Sequence, residues 1–173
     1  RAAAVARPIV KFFSGDKQRN RRVVSWDLEA TTRDESDLTS NAFKSYASGM
    51  AWYRSAFTSD TEPLGCSVFN DGAEEMLYVS FWGLNCLDQM VQFIACNQKY
   101  FAESTFYAHN GGKFDLPLLL RENLFQFEGA IIQGEKCTIL NGRWIGFQVL
   151  FLEHESTIRF RDSVALIAGT LDK

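Results

Sequence analysis

The sequence predicts one layered α/β domain built on a mixed sheet flanked by helices, and three observations carry that expectation. Val23 to Leu28 is a short apolar run that opens on two β-branched residues and is bounded by polar clusters, the pattern of a buried strand. From Leu87 the apolar positions Leu87, Met90, Val91, Ile94 and Ala95 recur at intervals of three and four, the period of a helix with one apolar face. From Gly129 onward short strand-like runs return. Strands, helix, strand, helix and more strands therefore follow one another, as in a layered α/β fold with an antiparallel strand extension.

The first strand carries carboxylates at its C-terminal edge, in the run Asp27-Leu28-Glu29. Residues 34 to 45 are polar, and partial alternation after them predicts a second strand around Gly49 to Ala56. A loop with Asp60, Pro63 and Gly65 intervenes before a third strand, Met76 to Trp82, which Gly83 ends. Asn85 is placed to cap the helix that follows, which is expected to run to about Phe101 with its apolar face on the sheet. Thr105 to His109 is a fourth strand, Gly111-Gly112 breaks it, and Asp115 to Asn123 starts a second helix with Pro117 near its first turn. Ala130 to Gln133, Thr138 to Leu140, Trp144 to Leu152 and Thr157 to Phe160 complete an antiparallel meander. The aromatics Phe125 and Phe127 are expected in the core. The chain has no internal repeat and no low-complexity segment.

Composition narrows the function classes. The 173 residues suffice for one domain with its own core, and 15 Phe, 5 Tyr and 4 Trp exclude a disordered chain. No apolar stretch reaches the roughly 18 residues of a membrane span, so no membrane partner is expected. Cys66, Cys86, Cys96 and Cys137 form no C-x-x-C pair and have no His at zinc spacing, which points to reduced thiols in an intracellular setting. A net charge of −3 excludes a module held on duplex DNA by charge alone, and leaves room for an enzyme that uses carboxylates. Residues 1–22 differ from the rest: Arg1, Arg7, Lys11, Lys17, Arg19, Arg21 and Arg22 face only Asp16. This segment reads either as a basic N-terminal arm or as the remnant of an organelle leader, which would make the location mitochondrial.

Two constellations carry chemistry. Alternation along the first strand puts Asp27 and Glu29 on one side with Leu28 turned to the core, so both carboxylates can share one divalent cation. The other Asp-x-Glu, Asp60-Thr61-Glu62, sits in a Pro-containing loop and reads as a solvated turn. The second constellation is His109-Asn110-Gly111-Gly112-Lys113-Phe114-Asp115: a strand end, a glycine turn and an acid at a helix start, which would project Asp115 back toward the first pair. Taken alone, Asn110-Gly111 is a turn, Asp115 a helix-start residue favoured by the dipole, and His109 a residue satisfied at a strand end. His154, between Glu153 and Glu155, reads as solvated in a hairpin turn.

In combination these segments resemble the 3′→5′ exonuclease domain of family B DNA polymerases, in particular the protein-primed branch of bacteriophages, adenoviruses and linear mitochondrial plasmids. Ser25 to Thr32 is similar to its first motif, built on Asp-x-Glu, and His109 to Asp115 to its second, built on Asn-x-x-x-Phe-Asp. Phe160-Arg161-Asp162-Ser163-Val164, continued by Leu166 and Gly169 to Lys173, is similar to a segment that touches the single-stranded primer end in that branch. The resemblance implies an RNase H-like mixed sheet in residues 23–173. It implies Asp27, Glu29 and Asp115 as catalytic metal ligands converging at one sheet edge, with two Mg2+ or Mn2+ ions as cofactor. It further implies Asn110, Phe114, Ser163 and Val164 as contacts to nucleic acid, and a single-stranded DNA 3′ end and a polymerase module or larger assembly as partners. The family's third motif, Tyr-x-x-x-Asp, has no counterpart here, since no Tyr follows Tyr107. The domain is therefore expected to be cut before its last acidic ligand and to be weakly active or inactive alone. Two alternatives stay open: an inactive exonuclease-derived subunit that binds RNA or protein in a larger assembly, and an RNase of the same two-metal class.

Overall fold

The computed structural model describes residues 22–32, 43–57, 61–70, 72, 74–121 and 124–166. Residues 1–21 of the basic segment, Asp60 and the Gly169 to Lys173 tail lie outside the described residues. Arg22, the last residue of that segment, donates to the Tyr100 carbonyl, with its guanidinium 4.9 Å from the Phe57 ring centroid.

Strand β1 (Val23–Thr32) alternates: Val24, Trp26 and Leu28 are buried, while Val23, Ser25, Asp27 and Glu29 are exposed. The alternation expected of Asp27, Leu28 and Glu29 is present, and the expected end at Leu28 is corrected: the strand continues through the β-branched Thr31-Thr32, so the two carboxylates stand within it. Strand β2 (Phe43–Tyr53) runs antiparallel to β1 and sets Ala51, Gly49 and Ala47 opposite Ser25, Asp27 and Glu29. A row of small residues thus lies beside the carboxylates. The strand gives way at Arg54–Ala56 to a 3-10 turn, where Arg54 pairs with Glu75 and with Glu62, which is exposed as expected of a solvated turn.

Strand β3 (Ser67–Asn70) was not anticipated, because all four residues are exposed and carry no burial pattern; it pairs with the expected β4 (Glu75–Trp82). Helix α1 (Cys86–Cys96) buries Cys86, Leu87, Met90, Val91, Ile94 and Ala95 and packs on β2 and β4. Asn85 occupies the cap position without a side-chain cap bond. The helical run reaches Phe101 as expected but in two pieces: α1 ends at Cys96, Asn97 donates both its backbone N–H and its side-chain amide to the Phe93 carbonyl, and a short α2 (Gln98–Phe101) follows.

Strand β5 (Thr105–Ala108) lies parallel to β1, and a 3-10 turn at Gly111–Lys113 leads into α3 (Asp115–Arg121) and α4 (Leu124–Phe127). Then come β6 (Ala130–Ile132), β7 (Thr138–Leu140), β8 (Arg143–Phe151) and β9 (Ser156–Asp162). The described strands form one nine-stranded open sheet in the order β3-β4-β2-β1-β5-β9-β8-β6, with β7 also on β8. The meander is modified: β6 passes over its neighbour to pair with β8, and β9 inserts parallel to β5.

Phe160 anchors the core face, with ring centroids 5.0 Å from Phe106, 5.0 Å from Phe147, 5.5 Å from Phe125 and 5.6 Å from Trp26. Aromatic pairs at these separations add to the area they bury. The four cysteines are free. Among the described residues no helix is long and apolar enough to cross a membrane. The architecture is mixed α/β, a strand-rich open sheet with a few helices, and is compatible with an RNase H-like fold.

Candidate active site

The parallel strands β1, β5 and β9 point the same way, so the ends of β5 and β9 deliver His109-Asn110 and Asp162-Ser163 to one region beside β1. Asn110 has φ 58°, a left-handed conformation that Asn tolerates better than most residues, and this reverses the chain after β5. The turn brings Asp115 to the first position of α3, where it is buried at 4% exposure. Burial first, and then the charges of Asp27, Asp162 and Glu29, together push its carboxyl up to about 6, against a lowering bond to its own backbone N–H. Asp115 therefore feels carboxylates from two other strands.

That convergence is electrostatic. Among the described residues no three His, Cys, Asp or Glu side chains lie close enough to hold a metal ion. The donor chemistry of Asp27, Glu29 and Asp115 suits a hard divalent cation. Asp27 and Glu29 face outward on β1 with the small Gly49 and Ala47 across from them.

Asp162 is the acid whose role the sequence reading left unassigned. It is 1% exposed and fully engaged: Oδ2 accepts from Arg143 Nε at 2.6 Å and from the Gly112 N–H at 3.2 Å, and Oδ1 accepts from the Val164 N–H at 3.0 Å. Arg143 Nη2 lies 2.5 Å from Asp162 Oδ2 and donates to Asn110 Oδ1 at 2.7 Å. Buried, hydrogen-bonded and paired, this carboxylate meets the conditions under which a charge survives burial. The clamp needs a glycine at 112, since a Cβ there would sit 2.0 Å from the Trp144 carbonyl, 2.6 Å from Asp162 Oδ2 and 2.8 Å from Arg143 Cγ. No sequence signal marks Arg143, which joins partners 19 and 33 residues away.

The remaining expected residues border the same loop. Ser163 Oγ lies 3.3 Å from His109 Nδ1, which satisfies the histidine at its strand end. Val164 follows in the 3-10 turn Ser163–Leu166, and Phe114, half-buried, closes the turn that begins at Asn110. Phe125 belongs to the core, and His154 is exposed in the β8–β9 turn beside Glu153. A cavity of about 210 Å³ lined by Lys136, Arg159 and Arg161, among others, contains none of the four carboxylates.

No protein-family model and no solved structure matches the chain. It is 27% identical over 180 residues to a probable DNA polymerase of Agaricus bitorquis, covering 96% of this chain and 19% of that protein. It is 33% identical over 91 residues to a DNA-directed DNA polymerase of Enterobacteria phage PRD1, covering 53% of this chain and 13% of that protein. The matches thus take in a fifth or less of each relative's length. The chain is related to DNA polymerases.

Proposed function

We propose that this chain is the 3′→5′ exonuclease region of a DNA polymerase, hydrolysing the terminal phosphodiester of a single-stranded DNA 3′ end. One observation carries the reading: β1 and β5 lie side by side, and the turn at Asn110 sets Asp115 of the second motif, buried at the start of α3, where Asp27 and Glu29 of the first motif act on its carboxyl together with Asp162. A carboxyl raised by burial and by neighbouring carboxylates marks a candidate functional site. The relationship to DNA polymerases supplies the setting, with DNA as substrate and a polymerase module as partner.

In this reading Asp27, Glu29 and Asp115 would hold magnesium or manganese. When bound, the ions supply activation of the attacking water and stabilisation of the leaving 3′ oxygen. The chain's own residues do the rest. Phe114 offers an aromatic face that accepts any base, Asn110 meets the terminal nucleotide, and Ser163 and Val164 touch the strand.

The test is trimming of a labelled single-stranded oligonucleotide with magnesium or manganese, using the 173 residues and any longer form of the protein that supplies a Tyr-x-x-x-Asp segment. We expect weak trimming by the short chain, strong trimming by the longer one, and loss of both in Asp27→Ala. Trimming unchanged by that substitution, or absent from both forms, refutes the assignment and favours a binding subunit derived from an exonuclease.

A further inference from the structure

We propose that Arg143 is a positioning residue that dictates how Asn110 meets the 3′-terminal nucleotide, an inference that rests on the exonuclease reading above. A guanidinium only donates, so the Asn110 atom 2.7 Å from Arg143 Nη2 has to be the carbonyl oxygen Oδ1. The amide NH2 of Asn110 is then left as the group available to a ligand. Asn110 is exposed, with its backbone fixed at φ 58°, so this NH2 stands at the surface of the loop. The site accordingly offers the nucleotide a donor and selects an acceptor on it.

Arg143 can hold that orientation because it is itself held. Its Nε and Nη2 both engage Asp162 Oδ2, and Asp162 is anchored by the backbone N–H groups of Gly112 and Val164. A fork bound to a fixed carboxylate loses little freedom when it takes a second acceptor. The same carboxylate bonds the 3-10 turn after Asn110 and the turn that begins with Ser163. One Arg–Asp pair thus sets the register of two segments assigned to the DNA strand. The donor it exposes also suits an enzyme indifferent to sequence, because every base carries an acceptor on its minor-groove edge.

The experiment is binding of a 5′-labelled single-stranded oligonucleotide with a free 3′ end to the full 173-residue chain, followed by fluorescence anisotropy in EDTA so that no trimming consumes the probe. Arg143→Met alone strands a buried carboxylate, so the variant used is Arg143→Met/Asp162→Asn, which leaves the net charge unchanged; thermal unfolding checks that it folds. Asn110→Ala should weaken binding about tenfold, the worth of one hydrogen bond. The Arg143→Met/Asp162→Asn pair should weaken it by about the same factor, and adding Asn110→Ala to that pair should cost less than about twofold more, since the amide is already misdirected. If Asn110→Ala weakens binding while the pair does not, or if the two losses multiply to about a hundredfold, Arg143 does not act through Asn110 and the inference fails alone. If Asn110→Ala has no effect, or the chain does not bind the probe, the nucleic-acid reading of the loop fails and takes the inference with it. For a pair that does not fold, Arg143→Lys keeps the charge beside Asp162 but removes the planar fork, and binding as tight as the parent chain's would overturn the proposal.

Discussion

Replacing Asp115 by Asn should stabilise the metal-free protein at neutral pH, and by an amount that depends on pH in a definite direction. The Asp115 carboxyl is raised from 3.8 to about 6, by burial first and then by Asp27, Asp162 and Glu29. The folded state therefore holds a proton that the unfolded chain releases between these values, so stability is full below about pH 3.8 and falls as pH rises toward 6. At pH 7 the accumulated loss approaches about 3 kcal/mol, and because the unfolded carboxyl is partly ionised near pH 4, about 2 kcal/mol of it accrues between pH 4 and 7. Asn has nearly the same shape and does not ionise. Urea denaturation of both proteins in EDTA across that range reads the difference, with the titrating groups away from the site cancelling between them and the coupling to Asp27, Asp162 and Glu29 counted as part of the effect. The Asn variant should gain about 2 kcal/mol on the parent chain from pH 4 to 7. Magnesium should reverse the order at neutral pH: a cation at about 1,000 times its dissociation constant stabilises by about 4.1 kcal/mol, more than the roughly 3 kcal/mol lost, and only the chain that keeps the carboxylate should receive it. A difference independent of pH would refute the claim that Asp115 is held against its charge, and equal stabilisation of both proteins by magnesium would remove Asp115 from the cation site.

The other predictions concern packing. Gly112→Ala forces a Cβ against the Trp144 carbonyl and should cost about 3 kcal/mol, read as a lower urea midpoint at unchanged slope. Phe160→Ala opens a cavity among four aromatic rings and should cost about 3 to 5 kcal/mol in the same assay; a loss below about 1 kcal/mol would contradict its place at the centre of the core. Tyr100→Phe removes the hydroxyl that accepts from Trp52 Nε1 at 3.0 Å, leaving a buried N–H without its acceptor, and should cost about 1 to 3 kcal/mol, with a shift in tryptophan fluorescence as a second readout.

What could be read in advance followed from period and chemistry. The threes and fours from Leu87 to Ala95 are a packing stripe, and the helix buries those positions. The run also reaches Phe101 as the stripe implies, but periodicity carries no signal for the break at Asn97 that divides it into two helices. Strand β3 was missed for the opposite reason: Ser67 to Asn70 bury nothing, so only their pairing with β4 makes them a strand. At the candidate site, alternation assigned Asp27 and Glu29 to one face and Leu28 to the other. The Arg143–Asp162 clamp was illegible because its parts come from a turn, a strand end and a glycine far apart in the chain, and nothing local to any of them announces the other two.

The insertion of β9 between β5 and β8 also constrains the order in which the protein can assemble. The loop holding Asn110 and Gly112 is set by partners 33 and 50 residues downstream. Closing loops of that span costs entropy before any contact rewards it, so such pairings form late and slowly. A ribosome that has delivered Asp115 has therefore delivered a motif without its shape. The loop acquires its geometry only when Asp162 has emerged and docked, so the candidate site depends on the C-terminal strand for its shape.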